Sequence, residues 1–570
     1  MGLHPQARID DYRAKGYWND DLIDALFAER VRSDPDTLAI IDPLNRSDLV
    51  DGPFRQLTWT ELDDLVNRIA QVLLDEGVGP GVTVGVQLPN TVEIAATFLA
   101  IVRLGAIVVP FPVQYRSHEL TELSKVAALK VFVTTTRIGR REAAVEMASL
   151  QPNIPTLERV LAFGSNVPEG VVDLDGRVAA AVDRSGLEAF NSSFVPDQND
   201  CVTICWTSGT ESTPKGVPRT HYDWLAMSWT TVEGPQLTKD DVLLNPFPMV
   251  NMAGINGMFL PWLRVGGVLV QHHPFDLATF LAQVAKHGAT YTVAPPALLT
   301  QLLHNEQLLA DTDISTLRLL GSGSTPLAPS LLQGWHDKYG IEILNFYGSN
   351  EGIALFGGPV DMPDPAERAL YFPRYGAPGR TWSHRVAKWM QVKLVDPVSG
   401  EVITEGGHPG ELRIKGPTVF PGYLPASNVE DPFDDEGYLR TGDLLEIVGD
   451  ELQYLRYVDR TKDLVVRGGM KISASELETY IAGYPKVAEV AVVAYPDELL
   501  GEKACAVVVA RPGETPTLDE LLTYLRELGI ATFKLPERIE LVDELPRNPL
   551  GKVLKRDLRA KLANEASVGS

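Results

Sequence analysis

An apolar run, Val202 to Trp206, leads directly into Thr207-Ser208-Gly209-Thr210-Glu211-Ser212-Thr213-Pro214-Lys215-Gly216. The run predicts a buried strand. A strand that feeds a loop of small hydroxyl residues, glycines and one lysine has the chemistry for holding polyphosphate. Backbone N–H groups and hydroxyls wrap the oxygens, and a cation neutralises charge. No GxxxxGK[ST] spacing can be written here, so this is not a Walker loop. On this stretch alone, a flexible surface loop competes with the phosphate reading.

The flanking pattern sets the fold class. Leu62, Leu65, Ile69, Leu73 and Leu74 make the apolar stripe of a helix, with Thr60 as its expected N-cap, Asp63 at the capping-box position and Gly77 after its end. A strand over Val82–Leu88, a helix over 91–104 and a strand over Ala106–Val109 follow. Helices alternating with buried strands predict an α/β domain with a mostly parallel sheet. Leu22, Ile23, Leu26 and Phe27 predict an earlier helix, and Pro218-Arg219-Thr220-His221 is expected to open another. Toward the C-terminus, a helix over Ser475–Ile481, strands over Val487–Val493 and Cys505–Val509, and a helix bearing Leu518, Leu521, Leu522, Leu525 and Leu528 predict a smaller α+β domain. Thr515-Pro516 is read as its start and Gly529 as its stop.

With 570 residues the chain exceeds one core, and two domains are expected, 1–458 and 459–570. The net charge of -24 argues against binding a nucleic-acid backbone or an anionic membrane through bulk electrostatics. Three cysteines, Cys201, Cys205 and Cys505, make no disulfide framework, and the first two are read as core packing of the strand. No basic stretch followed by an apolar core marks a signal peptide, and no apolar run approaches a membrane span, so a cytoplasmic place is expected.

Further motifs recur in order: Asn245-Pro246-Phe247-Pro248-Met249-Val250-Asn251-Met252-Ala253-Gly254, Gly321-Ser322-Gly323-Ser324-Thr325-Pro326-Leu327, Asn345-Phe346-Tyr347-Gly348-Ser349-Asn350-Glu351, Tyr438-Leu439-Arg440-Thr441-Gly442-Asp443, Tyr457-Val458-Asp459-Arg460-Thr461-Lys462-Asp463, Gly468-Gly469-Met470-Lys471, and Pro546-Arg547-Asn548-Pro549-Leu550-Gly551-Lys552. Together with the 207–216 loop they resemble the adenylate-forming superfamily of acyl- and aryl-CoA ligases, carrier-protein adenylation domains and luciferases. The likeness covers roughly residues 50–560. Tyr12-Arg13-Ala14-Lys15-Gly16-Tyr17-Trp18 and Pro218-Arg219-Thr220-His221 resemble the subfamily of 2,3-dihydroxybenzoate–AMP ligases.

The resemblance implies a large N-terminal domain of two α/β subdomains plus a small β subdomain, with a smaller, mobile α+β C-terminal domain. It implies ATP, Mg²⁺ and coenzyme A, and gives residues their roles. Thr207, Ser208, Gly209, Thr210 and Lys215 would hold phosphates. Ser324, Thr325, Pro326, Asn345, Phe346 and Tyr347 would lie at adenine. Asp443 would accept the ribose hydroxyls, and Arg460 would contact ribose or phosphate. Glu351 would be the metal ligand and Lys552 the catalytic lysine. Lys462 falls at the hinge, and Gly469 where pantetheine passes. Asn251, Met252, Gly254, Gly323 and Gly348 would line the acid pocket. The chain departs from the usual pattern at Glu211, Ser212 and Asn350. Asn350 stands where a threonine is usual, so a hydroxyl contact to phosphate would become an amide contact.

Residues 245–260 carry no charged side chain, which predicts an acid without an α-amino group, since a buried unpaired ammonium is costly. The expected activity is AMP-forming ligation of an apolar or aromatic acid to CoA. The alternative is a stand-alone acid–AMP ligase that loads a carrier-protein thiol. A monomer or homodimer is expected. Lys552, with an ordinary lysine pKa near ~10.4, is expected to act as a cation and not as a base.

Overall fold

The computed structural model describes residues 2–207, 214–323, 325–425, 430–468, 470–497, 499–548 and 552–568, with backbone alone for Ile353, Ala354, Lys471 and 564–568. The described residues form two compact units: one of those up to Thr207, Pro214–Gln391 and Lys415–Pro432, the other of Val392–Ile414 and those from Phe433 onward.

The first unit holds two sheets. One runs, strand by strand across the sheet, Val172–Asp173, Arg159–Phe163, Val131–Thr135, Thr83–Val86, Ile107–Pro110, Cys201–Trp206, Gly216–Thr220. The other runs Gly352–Gly357, Glu342–Ser349, Leu319–Gly323, Tyr291–Val293, Val242–Asn245, Val268–Gln271, Leu38–Ile41, Gln56–Thr58. Both are parallel inside; Gly216–Thr220 pairs antiparallel at one edge of the first, and Gly352–Gly357 and Gln56–Thr58 pair antiparallel at the two edges of the second. Their shared core holds the apolar stripe of Trp59–Asp75 and the wholly buried Val92–Val102. Trp59 stacks on Trp262 within it, ring centroids 4.8 Å apart.

Local chemistry corrects several sequence-based boundaries. The first long helix is capped by Thr58 and not Thr60; Thr58 accepts from the Glu61 N–H, and the Glu61 carboxylate accepts from Thr58 N–H. The C-terminal-unit helix Leu518–Glu527 is capped by Thr517 and not by Thr515. Pro218, Arg219 and Thr220 lie on a strand paired with Cys201–Trp206, and the helix opens only at His221, capped by Thr220. Cys201 and Cys205 are buried in that sheet, and burial pushes both thiols up to about 12, which fits packing and not metal ligation.

The second unit carries five neighbouring strands of a sheet in the order Tyr454–Arg460, Leu439–Val448, Gly410–Lys415, Gln391–Val395, Val402–Ile403. It also has an α+β part in which Val487–Asp497 and Gly501–Ala510 pair antiparallel, with Arg538–Leu541 parallel beside the latter. Helices Ala474–Ala482 and Leu518–Glu527 cover one face with Leu477, Ile481, Leu521 and Leu525. Among the described residues no helix is long and apolar enough to cross a membrane.

Candidate active site

In the first unit, strand Cys201–Trp206 carries the chain into the loop and strand Gly216–Thr220 takes it away. Thr207 and Lys215 are joined by one main-chain bond and one bond to a side chain. Thr207 N–H donates to the Lys215 carbonyl at 3.0 Å, and Lys215 N–H donates to Thr207 Oγ1 at 3.1 Å. Lys215 Nζ stands 5.0 Å from the centre of the Tyr423 ring, within cation–π range. Ser208, Gly209, Thr210, Glu211 and Ser212 lie outside the described residues, as do Ser324 and Gly469.

Strand Glu342–Ser349 turns through Asn350 and Glu351 into Gly352–Gly357. Glu351 is half-buried. Its Oε1 accepts from the Tyr423 hydroxyl at 2.8 Å, and its carbonyl accepts from Phe420 N–H at 2.9 Å. Burial, then the Glu351 charge, pushes the Tyr423 phenol up, so it stays a donor. Asn350 does something the sequence did not suggest. Its side-chain N–H₂ donates to the Trp206 carbonyl at 3.1 Å, and its Oδ1 accepts from Met252 N–H at 2.9 Å. The amide expected to meet phosphate ties the end of strand Cys201–Trp206 to the start of the Met252–Gly254 turn. Threonine has no amide with which to span both.

On that segment, Asn251 caps the short turn Met252–Gly254 by accepting from Ala253 and Gly254 N–H at 3.0 and 3.4 Å. Gly254 is there for close approach: a Cβ would meet the Pro248 carbonyl oxygen at 2.1 Å. The same holds at Gly323, where a Cβ would meet the Phe346 oxygen at 2.3 Å. The next residues, Ile255–Phe259, widen into a π-helix, and within it Asn256 is fully buried with neither amide atom partnered among the described residues. Sequence reading passed over Asn256. An asparagine at an apolar position was its only signal, and π-bulges recur at functional sites.

Asn345 commits its N–H₂ to the carbonyls of Arg368 and Ala369 at 3.1 and 3.2 Å, so its side chain anchors the helix Pro365–Leu370. Phe346 and Tyr347 are half-buried, with rings near Phe356 and Phe372 at 6.0 and 5.9 Å. Gly348, Thr325 and Pro326 are exposed. His221 is a buried helix-start residue whose Nδ1 accepts from Ile23 N–H at 3.2 Å, and burial lowers its pKa to about 4, which keeps it neutral.

The second unit brings together a different set. Asp443 and Arg460 face each other across paired strands, and Arg460 Nε donates to Asp443 Oδ1 at 3.0 Å. The two residues expected to bind ribose and phosphate are therefore partners of each other. Lys552 N–H donates to Asn548 Oδ1 at 2.9 Å and Asn548 N–H donates to the Lys552 carbonyl at 2.8 Å. Its ammonium is drawn down to about 8, first by surrounding protein and then by Arg460, against the pull of Asp443; Lys462 lowers it further and Asp463 raises it. The residue is nevertheless exposed, so water reaches it and the shift is no measure of stability. This corrects the expected ordinary pKa. At pH 7 the ammonium form still dominates, so Lys552 remains a cation by a smaller margin. Lys462 is exposed, its carbonyl accepts from Arg559 at 3.3 Å, and Arg559 also pairs with Asp463.

Among the described residues no group of three or more His, Cys, Asp or Glu could hold a metal on its own. What the first unit offers is one hard oxygen donor, Glu351, already aimed by Tyr423. That fits a cation which takes its remaining ligands from phosphate and water, as Mg²⁺ does.

A family model described as AMP-binding enzyme matches residues 27–424, and one described as AMP-binding enzyme C-terminal domain matches residues 476–552. The chain is 28% identical over 565 residues to the medium-chain fatty-acid–CoA ligase of Escherichia coli (strain K12), covering 97% of this chain and 93% of that one. It is 30% identical over 569 residues to a salicylyl-CoA synthase / salicylate adenylyltransferase of a Streptomyces species, covering 99% and 97%. Among solved structures it is similar to ATP-bound MatB from Rhodopseudomonas palustris, with a TM-score of 0.75 and 27% identity over 94% of this chain and 98% of that one.

Proposed function

The chain belongs to the AMP-binding enzyme family, and from that premise we propose that it is an AMP-forming carboxylate–CoA ligase acting on an apolar or aromatic acid. The observation that carries the reading is the Trp206–Asn350–Met252 junction. It joins the strand before the phosphate loop, the Glu351 turn and the acid-pocket segment in one hydrogen-bonded knot. A site that must bring a carboxylate and a triphosphate into line needs those three pieces in fixed relation.

A carboxylate is a poor acyl donor because its leaving group would be oxide. In the first step a carboxylate oxygen attacks the α-phosphorus of ATP. An acyl–O–P bond forms, the Pα–O bond to the β-phosphate breaks, and pyrophosphate leaves with the electron pair. The acid, with a pKa near ~4–4.5, is already ionised, so no general base is needed. The protein supplies alignment and charge neutralisation. Lys215 and the 207–216 loop take the phosphates, and Lys552 supplies the mobile cation. Glu351 would hold Mg²⁺, which neutralises phosphate charge when bound. In the second step the CoA thiolate attacks the acyl carbon, a C–S bond forms, the acyl C–O bond to phosphate breaks, and AMP departs with the electron pair. A thiol of pKa near ~8.5 is a few per cent ionised at neutral pH, which suffices for so strong a nucleophile.

Asp443 and Arg460, already paired, are assigned to ribose and its neighbouring phosphate. The functional boundary is placed at 458/459, with Lys462 as hinge and Gly469 on the pantetheine path. The uncharged 245–260 segment supports an acid without an α-amino group. A cytoplasmic place is part of the proposal, and the buried thiols of Cys201 and Cys205 are in keeping with it.

The test is acid-dependent pyrophosphate release over a panel of aryl, alicyclic and fatty acids, with and without CoA. Release that needs an acid and ends in acyl-CoA is the expected result. Release that stalls at a bound adenylate with CoA present moves the assignment to a carrier-protein thiol.

A further inference from the structure

Arg219 is fully buried on strand Gly216–Thr220, four residues beyond Lys215, and nothing in the chemistry above uses it. Its guanidinium is spent almost wholly on main-chain carbonyls. Nε and Nη2 donate to the Asn350 carbonyl at 2.9 and 2.5 Å, and Nη1 donates to the Thr418 carbonyl at 2.8 Å. The counter-ion is Asp223, one turn into the next helix and 3.5 Å from Nη1. Burial raises the Asp223 carboxyl, but contacts from His4, Arg219 and Thr220 outweigh it and hold it at about 2. His4 lies 3.5 Å from Asp223, and burial lowers its pKa. Arg219 is the permanent cation beside Asp223.

The two carbonyls that Arg219 holds belong to the two segments that frame Glu351. Asn350 precedes it in the chain. Thr418 lies on the 416–423 segment, which grips Glu351 through Phe420 N–H and the Tyr423 hydroxyl. The same segment is held from behind by the N-terminal stretch. Arg8 donates to the carbonyls of Gly416 and Val419 at 3.2 and 2.7 Å, and Trp18 Nε1 donates to that of Pro417 at 3.2 Å. Trp18 in turn stacks on Tyr222 at 4.5 Å, and the backbone of His4 is bonded both ways to Asn199. Four consecutive carbonyls, 416 to 419, are thus each taken by a side-chain donor from Arg8, Trp18 or Arg219. A turn this thoroughly fixed leaves the Glu351 carboxylate little freedom.

We propose that Arg219 is a positioning residue for Glu351, and that the N-terminal stretch from His4 to Trp18 is the outer half of the same device. This rests on the assignment of Glu351 to the MgATP site. Lysine cannot replace the arginine fully, because it is a point charge without the fork that reaches two carbonyls. Arg219 touches neither substrate and acts through the peptide at 350–351.

The test is a double-mutant cycle in the full chain, with MgATP as probe. Arg219→Gln, Arg219→Lys, Glu351→Gln and the pair Arg219→Gln/Glu351→Gln are compared by acid-dependent pyrophosphate release and by the thermal shift that saturating MgATP produces. Arg219→Gln is expected to raise KM for MgATP about tenfold and shrink the thermal shift, with KM for the acid unchanged within about twofold. Arg219→Lys should recover part of the loss. With Glu351 already replaced, adding Arg219→Gln should cost less than about twofold more, because the two act as one unit. Effects that multiply overturn the proposal, as does an equal rise in both KM values that follows a fall in unliganded melting temperature. If Glu351→Gln alone leaves MgATP handling intact, the underlying assignment fails, and that is seen before the cycle is closed. Should Arg219→Gln not fold, Arg8→Gln takes its place under the same two outcomes.

Discussion

Arg219 and Lys552 are the two cations assigned above to one reaction, and they are built in opposite ways. Arg219 has no exposed surface, and its donors go to carbonyls and one carboxylate. Lys552 is exposed, under the influence of Arg460 and Asp443, with its pKa drawn down to about 8. A charge that positions must be immobile, and a buried charge is tolerable only when fully partnered. A charge that neutralises a transient must stay reachable, and it works without a permanent partner of its own. The same contrast separates Asn350, whose side-chain amide and carbonyl oxygen are both bonded to the protein main chain, from the Asp443–Arg460 pair, which is assigned above to a ligand.

The largest effect is expected at Lys552. Lys552→Ala should slow adenylation by roughly 10²–10³, the scale for losing one preorganised electrostatic contact, and should spare thioester formation from supplied acyl-AMP. Equal loss in both half-reactions, measured separately, would erase the distinction between a mobile and a fixed cation. Tyr423→Phe comes next. It removes the donor to Glu351 Oε1, and kcat/KM for MgATP should fall about tenfold or more, as for a hydrogen bond to a charged group. If the loss appears in KM for the acid instead, the Glu351 turn is not where MgATP is handled.

The pH profile sharpens the comparison from the side of Lys552. Below about 8 the ammonium is charged and the activity it supports is present; above 8 that activity is lost as the proton leaves. Single-turnover adenylation should therefore drop about tenfold between pH 7 and pH 9, and Lys552→Arg should push the decline to higher pH. A flat profile up to pH 10 would show that Lys552 keeps an ordinary pKa in the working enzyme. The smallest effect is expected at Cys205. Cys205→Ala should cost about 1 kcal/mol of stability by denaturant titration, without changing adenylation, since the thiol is packed and inert.

How much of this was legible varies by distance along the chain. The strand before the phosphate loop, the 92–103 helix and the Asp443–Arg460 motif stood in the sequence because each depends on local pattern. Caps were less secure. Thr58-x-x-Glu61 and Thr60-x-x-Asp63 both satisfy the capping pattern, and pairing of Gln56–Thr58 with Leu38–Ile41 decided between them by holding Thr58 extended. Arg219 was expected at a helix start and lies on a strand, because Cys201–Trp206 offers that stretch an antiparallel partner. The N-terminal Tyr12–Trp18 stretch gave only a subfamily resemblance. Its contacts fall on residues 222, 389 and 417, which no local pattern can reveal.

By itself, the sequence determined the α/β class, the family and the order of the motifs, because periodicity, turn chemistry and residue type are written over short spans. Tertiary structure alone decided what the polar groups of those motifs are used for. Asn345 anchors a helix, Asn350 ties two segments, and Lys552 loses part of its basicity. A hydrogen bond takes whichever partner the fold brings within about 3 Å, and a pKa answers to the charges and solvent that the fold leaves nearby.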